Sequence, residues 1–256
     1  MIDLRPATAA PAPCKICGGA AAPFGSLDFN KGCETPHARR LPPAGVAVMY
    51  RRCGACGFVF TDAFDDWHAD DFKAHIYNDD YLGVDPDYVS VRPSANAGAV
   101  RELFGASKSE IRLLDYGGGN GAMCAELRAA GFPVALTYDP FVAAHAQRPE
   151  GKFNLVTCFE TLEHMPDPVG GIADLVSCIA DPGLLLFSTL VQPQDFDRVG
   201  LGWWYAAPRN GHISLFSRKA IALAFERHGY RAISLTDNAH LAFRTLPDFA
   251  RRRLVK

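Results

Sequence analysis

Long apolar runs are missing from the 256 residues. None approaches the roughly 20 needed to cross a bilayer as a helix, which removes a membrane-spanning helix and any expectation of a membrane partner. Charge of one sign is missing too: the formal net charge is -2. Nothing here favours a polyanion, so nucleic acid is not an expected partner. The opening Met1-Ile-Asp-Leu-Arg-Pro lacks the charged-then-apolar order of a secretory signal, and a cytoplasmic protein is expected. There is no G-K-[ST] element, which excludes a P-loop. Internal repeats and low-complexity tracts are also absent.

What is present is an ordinary globular composition, 48% hydrophobic and 21% charged. The length suffices for one catalytic domain with a small accessory unit. Three stretches are expected: 1–60, a loose Ala/Pro tail leading into a cysteine module; 61–108, a connector with acids and aromatics; and 109–256, an α/β domain.

Cysteine is plentiful, with 8 in the chain. In a reducing compartment close pairs read as metal ligands before disulfides. Cys14-Lys-Ile-Cys17 and Cys53-Gly-Ala-Cys56 each supply two corners of a tetrahedron, and each is followed by a glycine suited to a tight turn. A structural zinc ion held by all four is the expected arrangement, with no open coordination position. Cys33 and His37, inside the long gap, are rival ligands. Unliganded core thiols are the bland alternative. Cys124, Cys158 and Cys178 lie on apolar stretches and read as core packing.

From Ile111 onward short apolar strands alternate with helical segments, which implies βαβ units and a mostly parallel, Rossmann-like sheet. Leu113-Leu-Asp115-Tyr-Gly117-Gly-Gly119-Asn-Gly121 runs from a strand into a glycine turn and then a helix. Such glycines let the backbone approach a ligand closely. Asp115, just ahead of them, would repel a pyrophosphate but suits an ammonium group. Asp139 ends the next strand, where a carboxylate can accept from both hydroxyls of a ribose.

With Phe153-Asn-Leu-Val-Thr-Cys-Phe-Glu-Thr-Leu-Glu-His164, this combination resembles the class I S-adenosylmethionine (SAM)-dependent methyltransferases over about residues 111–245. The resemblance implies SAM as cofactor. It implies that Gly117, Gly119 and Gly121 line the methionine part, that Asp139 holds the ribose, and that Phe159 and Glu160 border the cofactor. Two departures stand out. The family usually fits a helix, a third strand and another helix between Asp139 and Asn154, and that strand supplies an acidic contact to adenine. Only 14 residues separate the two here. Asn154 also replaces the family's usual Asp.

The four-cysteine start, together with Gly211-His212-Ile-Ser-Leu-Phe216-Ser, resembles the sugar-nucleotide C-methyltransferases. There a Tyr-x-x-His element precedes Phe-Ser, and its His is implicated as a base. His212 matches that position and Arg209 stands where the Tyr would be. The chain ends about where that group continues into a C-terminal domain. Trp203-Trp-Tyr205 and His212 fall in the long connection after the strand 184–189, and Tyr205, His164 and His212 are the catalytic candidates. Packing or helix capping is the alternative for His212, a local hydrogen bond for His164, and a structural role for Glu163. The cluster Tyr77–Tyr81 reads as a lid or as a solvated connector.

The expected activity is direct methyl transfer to a small molecule; the acceptor atom and the oligomeric state are not set by these residues. An inactive, zinc-stabilised binding protein with a methyltransferase fold remains open. So does an NAD-dependent oxidoreductase, against which the spacing G-x-G-x-G argues.

Overall fold

The alternation that begins at Ile111 builds a six-stranded sheet in the computed structural model, which describes residues 2–254 apart from 7, 9, 34 and 36. The strands Val134–Tyr138, Arg112–Tyr116, Phe153–Phe159 and Ile179–Ser188 lie side by side and parallel. Ala239–Phe243 and Arg231–Ser234 complete the sheet antiparallel. A parallel strand buries both faces, so it reads as an unbroken apolar run rather than an alternating one. Leu113, Leu155, Leu184 and Leu186 accordingly meet Met123, Leu127, Phe104 and Phe249 in one buried cluster.

The shortened region is as the sequence reads. After Asp139 there is one turn of 3-10 helix, Ala143–His145, and the next strand begins at Phe153. Val134–Tyr138 is therefore the sheet edge. Arg148, in the shortened stretch, pairs with Asp174, which also accepts a hydrogen bond from the Tyr116 hydroxyl at 2.8 Å. Asn154 has a reason of its own to be an amide. Its Oδ1 accepts from Arg112 N–H at 2.8 Å and its Nδ2 donates to the Glu110 carbonyl at 2.7 Å. A carboxylate could not donate the second bond.

A second sheet is antiparallel throughout, in the order Ala12–Pro13, Ala20–Asp28, Ala47–Cys53, Val59–Phe60, Ser214–Leu215. The stretch 14–60 has too few apolar residues for a core of its own. Its Val48, Tyr50 and Val59 instead join Phe64, Phe72, Trp203, Tyr205 and Ile213 in one buried cluster.

The chain thus forms two compact units, each built from separated segments. One comprises Met1–Pro86, Leu162–Gly171 and Thr189–Ala224; the other comprises Asp87–Thr161, Ile172–Ser188 and Phe225–Lys256. The boundaries 60 and 108 divide the chain in linear order, whereas the crossings into the first unit follow the carboxyl ends of strands Phe153–Phe159 and Ile179–Ser188. Among the described residues no helix is long and apolar enough to cross a membrane.

Candidate active site

The two cysteine pairs form matching turns. Gly18 N–H donates to the Cys14 carbonyl at 2.9 Å and Gly57 N–H to the Cys53 carbonyl at 3.0 Å, both glycines having left-handed backbones. Cys53 Sγ accepts from the Ala55 and Cys56 amides at 3.4 and 3.5 Å. The sulfurs pair at 3.6 Å (Cys14 and Cys56) and 3.5 Å (Cys17 and Cys53), and all four lie within 4.8 Å of one another. The hydrogen bond with Cys56 pulls the Cys14 thiol down to about 5 and pushes Cys56 up in return. This four-thiol set suits a tetrahedral zinc ion. Cys33, a rival ligand in the sequence, lies elsewhere: its Sγ is 3.6 Å from Nδ1 of His212.

In the other unit, Asp115 is buried at 4% exposure at the end of strand Arg112–Tyr116. Its Oδ1 accepts from the Thr157 hydroxyl at 2.7 Å. Burial pushes its carboxyl up to about 7; the Thr157 bond works against this and the negative charge of Asp139 adds to it. The turn that follows has no room for a side chain at Gly117 or Gly118. A Cβ on Gly118 would sit 2.3 Å from Asp115 Oδ2, and one on Gly117 would meet Thr161 Oγ1 at 2.5 Å. Gly117 has φ +75°, and Gly119 and Gly121 are left-handed as well. Helix Ala122–Ala129 starts immediately after Gly121.

Asp139 ties the cradle together. Its Oδ2 accepts from Gly119 N–H at 2.9 Å and its Oδ1 from Phe141 N–H at 2.8 Å. Phe159 packs against the unit's core at the end of its strand. Glu160 carries the one positive φ (+48°) of a non-glycine among the described residues. Such a conformation costs about 1–3 kcal/mol and persists where the surroundings impose it. Here the Ser188 hydroxyl donates to Glu160 Oε1 at 2.7 Å and lies 2.9 Å from Glu160 N.

The catalytic candidates lie in the first unit. His212 is 6% exposed and precedes strand Ser214–Leu215. Its Nδ1 lies 2.8 Å from the Tyr205 carbonyl, which can only accept, so Nδ1 carries the proton and the lone pair of the neutral ring is on Nε2. Its own carbonyl accepts from the Tyr50 hydroxyl at 2.9 Å. The two rings of Tyr205 and His212 are 4.1 Å apart, and the Tyr205 hydroxyl donates to Oε1 of the fully buried Glu163 at 2.5 Å. His164 faces His212 edge-on at 5.0 Å, and its Nδ1 is 3.1 Å from the Tyr77 hydroxyl. The capping alternative for His212 falls to Ser217, whose Oγ accepts from Ala220 N–H at 3.0 Å at the start of helix Arg218–Glu226. Glu163, His164 and His212 each offer one donor atom within 4.8 Å of the others, a second set able to hold a proton or a divalent ion.

The family described as "Methyltransferase domain" matches residues 88–235, more than half of the chain. The chain belongs to the methyltransferase domain family. Among curated proteins it is similar to the ubiquinone biosynthesis O-methyltransferase of Pectobacterium carotovorum, 33% identical over 94 residues, covering 36% of this chain and 39% of that protein. The corresponding protein of Ralstonia nicotianae is 37% identical over 97 residues, covering 38% and 36%. The chain thus spans well under half the length of these curated relatives. Among solved structures it is similar to a magnesium protoporphyrin IX methyltransferase from Synechocystis with bound S-adenosylhomocysteine (SAH). That match has a TM-score of 0.43 and 16% identity and covers 60% of this chain and 82% of that one.

The structure therefore groups the sequence-read residues of the chain into three sets: the four cysteines, the cradle from Asp115 to Glu160, and the cluster of Tyr205, His164 and His212. The sequence reading passed over Thr157, Thr161 and Ser188 beside the cradle. It also left Asn210 without a role, whose Oδ1 accepts from Cys33 N–H at 2.9 Å. The Tyr77–Tyr81 stretch is partly built into the unit, with Tyr81 only 5% exposed and its hydroxyl 3.3 Å from the Asn210 carbonyl.

Proposed function

We propose that the protein transfers a methyl group from SAM to a small-molecule acceptor, a sugar nucleotide being one candidate. The observation that carries this is a buried carboxylate, Asp115, immediately behind a backbone turn in which a Cβ on Gly117, Gly118 or Gly121 would collide. That cradle fits an ammonium-bearing amino-acid tail and is hostile to a pyrophosphate. Asp139 uses two of its roughly four acceptor positions on Gly119 and Phe141, which leaves capacity for the ribose hydroxyls. When bound, SAM supplies a methyl on a sulfonium, already a good leaving group.

The protein's own work is alignment and, where the acceptor is protonated, removal of its proton. His212 is suited to the second task, because the Tyr205 carbonyl fixes its tautomer with Nε2 as the basic nitrogen. Glu163 holds Tyr205, and Tyr205 holds His212 through its ring and carbonyl. The four cysteines are assigned one structural zinc ion. A cytoplasmic location goes with thiols that stay reduced.

The experiment is His212→Asn with the identified acceptor, alongside SAH calorimetry. General-base removal costs about 10²–10⁴ in kcat while SAH affinity stays unchanged. Unchanged turnover would remove His212 from the role. Failure of the zinc-loaded protein to bind SAM or SAH would favour a binding protein, and tight NADH binding in their place an oxidoreductase. A second metal ion per chain, lost in Glu163→Gln, would make His212 a ligand instead of a base.

A further inference from the structure

Three carbonyls of the run Trp203–Ala206 converge on one cation. Lys31 Nζ donates to the Trp203 carbonyl at 2.9 Å, to the Trp204 carbonyl at 3.2 Å and to the Ala206 carbonyl. An ammonium carries three donors and no acceptor, which matches three carbonyls, and a charged donor makes the stronger kind of hydrogen bond. The run is also closed on itself, Ala206 N–H donating to the Trp203 carbonyl at 3.1 Å.

The fourth carbonyl of the run is that of Tyr205, and it meets His212 Nδ1 at 2.8 Å. A peptide unit is planar, so its direction is set by the two soft dihedrals on either side. The Trp204 carbonyl belongs to the unit before the Tyr205 carbonyl and the Ala206 carbonyl to the unit after it. With both held by Lys31, the unit between them has little freedom to turn.

The residues beside Lys31 grip the same loop further on. The Lys31 carbonyl accepts from Arg209 N–H at 3.1 Å, and Cys33 N–H donates to Asn210 Oδ1 at 2.9 Å. A Cβ on Gly32 would lie 3.2 Å from that same Oδ1. His212 N–H in turn donates to the Ala207 carbonyl at 3.1 Å. The side chain of Lys31 therefore holds the carbonyl end of the Tyr205–His212 bond, and the backbone of 31–33 holds the residues that lead into the imidazole. A neutral imidazole carries its proton on either nitrogen, and the partner of one nitrogen decides which.

We infer that Lys31 is a positioning residue for His212. By gathering the Trp203, Trp204 and Ala206 carbonyls it aims the Tyr205 carbonyl at Nδ1 and so keeps the lone pair of the ring on Nε2. The use of that lone pair as a base rests on the methyl-transfer reading; the control of the tautomer does not.

The test is NMR of the histidine ring nitrogens in the whole zinc-loaded chain, without SAM or acceptor, at mildly alkaline pH where an imidazole is neutral. The signals lost in His212→Gln identify the ring, and thermal melts are recorded alongside. The parent should show the proton on Nδ1. Lys31→Met keeps an unbranched stem and removes the ammonium; the ratio of Nδ1–H to Nε2–H forms should fall about tenfold, the worth of one hydrogen bond. In Lys31→Ala, butylammonium in solution should raise the ratio again, and tetramethylammonium, which has no N–H, should not. Lys31→Gln retains a donor, serves where Lys31→Met does not fold, and should show a smaller fall. A ratio equal to the parent's in whichever of these two folds, with only the melting temperature lowered, means a staple alone and overturns the proposal. So does an Nε2–H form in the parent, or equal recovery with both ammonium ions. A tautomer shift in Lys31→Met beside unchanged turnover in His212→Asn would sink the base role and leave the positioning role standing.

Discussion

Replacing Asp115 by Asn separates the electrostatics of the cradle from its shape. The amide keeps an oxygen to accept the Thr157 hydroxyl, now 2.7 Å from the carboxylate, and removes the charge. In the native fold burial raises this carboxyl from 3.8 to about 7. The folded protein therefore holds a proton that the unfolded chain has already lost, and stability falls as pH rises from about 4 to about 7. Each pH unit of that window is worth about 1.4 kcal/mol, so ionised Asp115 costs the fold about 4 kcal/mol above pH 7. The variant lacks this cost. The difference in unfolding free energy between Asp115→Asn and the parent should be small near pH 4, grow to about 4 kcal/mol by pH 7 and then level off. Urea unfolding of both proteins at pH 5, 6, 7 and 8, without ligand, measures it. Parallel pH profiles for the two would refute the reasoning. On the proposed function the same ionisation governs binding of the methyl donor. SAH affinity of the parent should rise with pH up to about 7 and level off, while the variant binds weakly at every pH.

The metal and the turn make two further expectations. Cys53→Ser should lower zinc from one per chain towards none and destabilise the first unit by several kcal/mol, as structural zinc sites contribute directly to folding; Cys178→Ser should keep its zinc, and elemental analysis with thermal melts checks both. Gly117→Ala places a Cβ 2.5 Å from Thr161 Oγ1 at φ +75°. It should abolish SAH binding in calorimetry, and adding Thr161→Ala should recover part of it, the left-handed backbone still costing about 1–2 kcal/mol.

The features legible in the sequence are those written in adjacent residues. The Cys pairs, the run from Asp115 to Gly121, Asp139 at a strand end and the missing third strand each occupy one short window. The cluster around His212 is different. It gathers Cys33, Tyr77, Glu163, His164, Tyr205 and His212 from segments scattered over 180 positions, and no local pattern announces that Glu163 meets Tyr205. Strand Ser214–Leu215 is only two residues long, below what period-two alternation can signal. The buried state of Tyr81 and Arg209 was hidden by their neighbours, since Asn78, Asp79, Asp80 and Asn210 make both stretches read as solvated loops.

Val59 and Phe60, which follow the second cysteine pair, are paired with Leu215 and Ser214, and the Cys56 carbonyl accepts the Ser217 hydroxyl at 2.6 Å. The four-cysteine cluster is thus stitched to the residues that directly follow His212. With the proposed zinc ion in place, a chelator or oxidant acting on those sulfurs would loosen the imidazole's seat from behind, and on the proposed function turnover would fall with it.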